Sequence, residues 1–150
     1  SSVITLDQVE TRDNLRIVSD IGSRLPIYCT SQGKVFLAHM SRTSAEALLR
    51  AQHMTQFTPH TITDLTALMQ EIDLCRTDGY AIENGEYKIG LRSISAPVYT
   101  VEGKARYTVG VIGMFRSTRS DEFLASVEQV CATASMISTA LGYRKTEELL

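Results

Sequence analysis

No stretch of this chain approaches the roughly 18–20 consecutive apolar residues that a membrane-spanning helix needs, and no Lys/Arg-rich run occurs anywhere. The first absence excludes a helical membrane span. The second argues against a DNA-binding surface, because duplex DNA is held by a basic stripe and the formal net charge here is −2. The chain starts at Ser1-Ser2 with neither Met nor a signal-peptide pattern, so it reads as a fragment. No internal repeat, low-complexity stretch or linker divides it. Cysteine is scarce and odd in number. Cys29, Cys75 and Cys131 are widely spaced, as expected of reduced thiols in a cytoplasmic protein. His39, His53 and His60 are scattered, and none stands at metal-ligand spacing from another His or Cys. Neither a metal nor a cofactor is expected, and no catalytic constellation is present.

What is there suits one globular domain. The 150 residues are 43% hydrophobic and 21% charged, enough to bury a core. Residues 3–10 and 15–20 read as strands around a polar break, Thr11-Arg12-Asp13-Asn14. A helix is predicted from Thr30 or Ser31, with Val35, Phe36, Leu37 and Met40 as its apolar face. A short helix follows from Thr43 or Ser44 to Ala51, with Leu48 and Leu49 inward. Leu65, Leu68, Met69, Ile72 and Cys75 recur at helical spacing and predict a helix over residues 63–78, capped by Thr63 and stopped by Gly79. Short strand 80–83 comes next. Strands 93–101 and 105–115 flank the turn pair Glu102-Gly103. A long helix over residues 120–143 would bury Phe123, Val127, Val130, Ala134, Ile137 and Leu141. The pattern predicts an antiparallel sheet with helices packed on it.

Few residues invite chemistry. Ser31-Gln32-Gly33-Lys34 lacks the first glycine of a phosphate loop and the Ser/Thr after its Lys. A helix start here attracts anions through free backbone N–H groups, and it equally fits an ordinary capped helix. Cys75 and Cys131 lie on helix stripes as core thiols. Cys29 sits beside a helix start that could stabilise a thiolate, but no nearby His or second Cys supports catalysis. Glu83, Glu86 and Glu102 could do acid/base work, although a solvated surface is the commoner case. Arg92 could pair with one of them or face solvent.

Three segments carry a resemblance: PIYCTSQGKVFLAHM (26–40), FTPHTITD (57–64) and GYAIENGEYKIGLRSISAPV (79–98). In order and spacing they resemble the effector-binding domain of the IclR family of bacterial transcription regulators, over residues 18–143. The resemblance implies an α+β fold with a GAF-like curved antiparallel sheet and helices on its faces. It implies a sensory domain rather than an enzyme, with the family's N-terminal winged helix-turn-helix absent from this chain. Operator DNA would be bound only through that missing part. It also implies a homodimer or homotetramer and a small-molecule effector, typically a carboxylate, that changes operator binding. By position, the effector pocket would be lined by Tyr28, Ser31, Gln32, Gly33, Glu83, Ser93, Ser95, Gly113 and Phe115. Gly113 would free room, and Phe115 would form an apolar wall or fill the space. The effector's carboxylate is expected at Ser31-Gln32-Gly33, with its other polar group near Ser93. Two rival readings are a GAF-like thiol reductase using Cys29, and an oligomerisation domain whose vestigial pocket Phe115 closes.

Overall fold

Residues Ser93 to Val98, SISAPV, are buried without a break. Along a strand, successive side chains point to opposite faces. Ser93 and Ser95 therefore face one side, and Ile94, Ala96 and Val98 the other. A strand covered on both faces must lie inside the sheet, and its serines must find partners within the protein. The rest of the fold supplies both covers.

A computed structural model of the chain describes residues 1–12, 17 and 19–145. Its elements are β1 (Ser2–Ile4), β2 (Arg24–Pro26), α1 (Ser31–Ala38), α2 (Arg42–Arg50), α3 (Leu65–Asp78), β3 (Ala81–Asn84), β4 (Arg92–Tyr99), β5 (Ala105–Gly113) and α4 (Asp121–Ala140). β3, β4 and β5 form an antiparallel sheet in that order, and β1 pairs antiparallel with β2. α1 and α3 cover one face. Their core contains Cys29, Val35, Leu37, Leu49, Leu68 and Ile72. α4 covers the other face, where Ile94, Ala96 and Val98 meet Phe115, Phe123, Val127, Val130 and Ala134. This is the expected α+β arrangement, an antiparallel sheet between helices.

Local chemistry sets most boundaries. Thr30 caps α1, accepting from the Gly33 N–H. Ser41 caps α2 and accepts from Ser44 N–H, so Ser44 is a donor rather than the cap. Asp64, not Thr63, caps α3. Gly79 closes α3 in the left-handed conformation and donates to Cys75 O. Ser120 caps α4.

Two expectations need correction. Strand 3–10 shrinks to Ser2–Ile4, which pairs with β2, and within the expected strand 15–20 no strand is assigned over described residues 17, 19 and 20. Residues 15, 16 and 18 lie outside the described residues, as do Asp13 and Asn14 of the polar break. Gln8 donates to Ile17 O and accepts from Ser19 N–H. On α4, Ile137 and Leu141 are exposed, at 37% and 44%. The inward position after Ala134 is four residues on, at Ser138. Ser138 Oγ accepts from the Tyr99 N–H at 2.9 Å and donates to Ala134 O at 2.7 Å.

Candidate functional site

The first turn of α1 points at the serine face of β4. Gly33 lets α1 pack back on the segment before it: a Cβ there would stand 2.0 Å from Ile27 O, inside backbone that cannot move aside. Ser31 lies against the sheet and is fully buried. Its Oγ lies 2.8 Å from Ser93 Oγ and 2.8 Å from Ser95 Oγ. The register places Ser93 beside Glu83 on β3, and Ser93 Oγ donates to Glu83 Oε2 at 3.2 Å. The result is a row of hydroxyls that ends on a carboxylate. Gln32, half-buried, has its Oε1 3.4 Å from Ser31 Oγ. The first N–H groups of a helix have no intrahelical partner. Thr30 takes that of Gly33 at 3.2 Å.

Glu83 is buried. Its Oε1 accepts the backbone N–H of Glu86 at 2.5 Å and of Tyr87 at 3.1 Å. Burial pushes its carboxyl above the ordinary value. The two backbone donors pull the other way, the charge of Glu86 adds to the rise, and the Ser93 hydroxyl lowers it. The loop that supplies those donors is tied down by Thr58, donating to Gly85 O, and by Thr61, donating to Glu86 O.

Beside this row lies a buried ion pair that sequence reasoning missed. Lys34 is only 1% exposed. Its Nζ reaches Glu86 Oε1 at 2.6 Å, Ile82 O at 3.1 Å and Glu71 Oε2 at 3.5 Å. Glu86 Oε2 is buried without a hydrogen-bond partner. The expectation of a solvated surface holds for Glu102, which pairs with Arg106 and Lys104 in the open. It fails for Glu83 and Glu86, because α1 lies over them and Lys34 compensates one of them. A Lys set just before Val35, Phe36 and Leu37 on a helix was the available signal.

Strand parity sorts the remaining candidates. Gly113 pairs with Arg92, and a Cβ on it would meet the Phe115 ring at 3.1 Å. Phe115 packs edge-to-face on Phe123, with ring centroids 5.1 Å apart, in the core under α4. Both therefore lie on the face opposite Ser93 and Ser95, and neither lines nor closes the site. The residues paired with Ser95 and Ser93 are Gly110 and Ile112. A Cβ on Gly110 would fall 2.4 Å from Ser95 Oγ and from Ile94 O. Tyr28 is buried, but its hydroxyl donates to Thr55 O at 2.9 Å and its ring stacks on Phe57, away from the hydroxyl row. Arg92 donates to Asn84 Oδ1 and Phe115 O.

Burial holds all three thiols in the protonated form. Burial, with the charges of Glu86 and Glu83, pushes Cys29 up to about 12. Burial pushes Cys75 up to about 11. All three cysteines are free. A reductase built on a Cys29 thiolate is thus corrected: burial and the Glu86 and Glu83 charges outweigh the lowering by Lys34, so the helix start does not make this thiol a thiolate. Among the described residues no group of His, Cys, Asp and Glu could hold a metal, and no helix is long and apolar enough to cross a membrane. His39 bonds Val35 O and the Tyr99 hydroxyl. Two surface grooves, of about 240 and 280 Å³, share Glu71, Ile82 and Asn84 in their linings. Neither is lined by Ser31, Ser93 or Ser95.

Comparison with known proteins gives a consistent answer. The family model described as "Bacterial transcriptional regulator IclR C-terminal" matches residues 1–139. The HTH-type transcriptional repressor AllR of Escherichia coli K12 is 28% identical over 144 residues, 96% of this chain and 53% of that protein. The chain thus spans about half the length of the curated relatives it matches. A transcriptional regulator from Rhodococcus superposes with a TM-score of 0.88 at 27% identity, covering 94% of this chain and 58% of that one. The C-terminal domain of the E. coli regulator KdgR superposes with a TM-score of 0.75 at 32% identity, covering 93% of this chain and 85% of that one. These relatives are transcriptional regulators, not enzymes.

Proposed function

The chain belongs to the IclR family of bacterial transcriptional regulators, as its C-terminal domain, and we propose that it binds a small organic acid that modulates operator binding by the full-length protein. One observation carries this reading. Ser31, Ser93 and Ser95, with Glu83, converge at the start of α1 although 62 and 64 residues separate Ser31 from the two β4 serines. Helix N-termini favour negative charge, and hydroxyls fit carboxylate oxygens. Operator DNA would be contacted by a DNA-binding part of the longer, cytoplasmic protein. The protein would work as a homodimer or homotetramer. The effector acts by its differential affinity for two arrangements of the assembly, since equal affinity would shift nothing.

A second reading follows from how tightly the hydroxyls are sealed. The domain could serve self-association alone, its hydroxyl row a closed relic. A thermal-shift panel of mono- and dicarboxylates separates the two. An acid at about 100 times its dissociation constant stabilises by roughly 2.7 kcal/mol. A stabilising acid whose effect disappears in Ser31→Val and Ser93→Val supports sensing. A flat response to every acid supports the closed site.

A further inference from the structure

The hydroxyl row admits one order of protons when Glu83 is ionised. Each serine hydroxyl carries a single proton. Ser93 donates its proton to Glu83 Oε2 at 3.2 Å. Ser31 must then supply the proton of the 2.8 Å contact with Ser93. Ser95 must supply that of the 2.8 Å contact with Ser31. Every proton points toward the carboxylate. The Ser31–Ser95 end is left with lone pairs, which repel an anion. Gln32 Oε1, at 3.4 Å, competes for the Ser31 proton more weakly than Ser93 at 2.8 Å and supplies none of its own.

Protonation of Glu83 allows the reverse order. Glu83 Oε2 then donates to Ser93, Ser93 to Ser31, and Ser31 to Ser95, whose own proton becomes free for an outside oxygen. Glu83 Oε1 keeps the N–H groups of Glu86 and Tyr87 in either state. We infer that a small carboxylate binds at the Ser31–Ser95 end together with one proton, which settles on Glu83 and turns the row from acceptor to donor. This rests on the effector reading above and makes Glu83 the residue that sets which ligand polarity the site accepts. The balance is simple: the ionised acid enters, one proton comes from solvent, and no bond to carbon changes.

The surroundings of Glu83 favour that uptake. Among the described residues it has no ion-pair partner. The cation of α1, Lys34, is held by Glu86 and Glu71. The loop after β3 contributes Glu86, whose negative charge raises Glu83. Cys29, in front of α1, is neutral. From α3 come Glu71, bound to Lys34, and Cys75, also neutral. The neighbour on β4, Arg92, is turned to Asn84 and Phe115 O.

Calorimetric titration of this chain with acetate, lactate, pyruvate, benzoate and succinate tests the inference, in Hepes and in Tris, from about pH 6 to about pH 8. The difference in heat between the buffers counts protons. Uptake approaching one proton per bound acid is expected, with affinity falling up to tenfold per pH unit. Glu83→Gln should remove both effects. Its Oε1 accepts the two backbone N–H groups, its Nε2 donates permanently to Ser93, and at about pH 8 it binds the same acid more tightly than wild type. Binding without proton uptake, or a Glu83→Gln variant with the wild-type pH profile, overturns the inference and leaves the effector reading standing. If no acid binds either protein at any pH, the effector reading falls and the inference with it. Should the variant fail to fold, the two-buffer titration of wild type decides alone.

Discussion

Ser31 and Ser95 stand 64 residues apart in the chain, yet their hydroxyl oxygens lie 2.8 Å apart, both sealed from solvent. One opens a helix and the other lies mid-strand in the sheet beneath it. That contact brings the start of α1 onto β4 and lets two buried polar groups satisfy each other. Removing either hydroxyl leaves its partner short of a bond in a dry place, which costs more than the bond itself contributes.

The Lys34–Glu86 pair is expected to behave as a buried ion pair. Lys34→Met leaves Glu86 uncompensated and should lower stability by about 3–5 kcal/mol in urea denaturation. Lys34→Met combined with Glu86→Leu should recover much of that loss. A single variant as stable as wild type would show that water already reaches the pair.

Gly33 is expected to tolerate no side chain. Gly33→Ala puts a Cβ 2.0 Å from Ile27 O, and the loss should reach or exceed the roughly 3 kcal/mol typical of severe overpacking. Gly90→Ala is the control. Gly90 has φ 82° and nothing within 4 Å of the added Cβ, so only backbone strain of about 1–2 kcal/mol applies. Thermal melts of the two variants should differ clearly.

Stability should fall with rising pH through Glu83. Its folded value is raised above the ordinary 4.5, so the folded state holds the proton that the unfolded state releases. The stabilisation is complete below about 4.5 and is lost as pH climbs through the folded value. Glu83→Gln lacks this loss. Its melting temperature relative to wild type should therefore increase from about pH 4.5 to about pH 8, and a constant difference would contradict the burial argument.

Self-association is expected without any DNA-binding part. Among the described residues β5 lies at an edge of its sheet and exposes Tyr107 and Val111 on the α4 side, and α4 exposes Leu124 and Met136. Exposed apolar side chains of this kind suit burial against a second copy. Light scattering at tens of micromolar should report a dimer or larger; a monomer there would count against it.

Much of the fold was legible because local and tertiary signals agreed. On α3 a four-residue buried stripe runs between a capping Asp64 and Gly79, and the β4–β5 turn carries Glu102-Gly103. α4 was legible until its last turns, where a serine took the inward position by bonding the Tyr99 backbone. The site was legible only where resemblance supplied the tertiary contact. Ser31, Glu83, Ser93 and Ser95 come together, but nothing local links them. Position in the resemblance puts Gly113 and Phe115 in the pocket, whereas strand pairing and packing against Phe123 put them on the face opposite Ser93 and Ser95. Lys34 and Glu86 were unreadable as a pair, since charges are ordinarily solvated and 52 residues separate them.

A small acid is proposed to bind where the start of α1 meets β4. Titrating isotope-labelled protein with the acid that stabilises it most, and following backbone amide resonances, tests this directly. The amides of Ser31, Gln32, Ser93 and Ser95 should move together and saturate, while those of His60, Ile62 and Glu71, in the smaller groove, stay in place. Saturable movement in that groove with Ser31 and Ser95 unmoved, or no movement at all, would contradict the account.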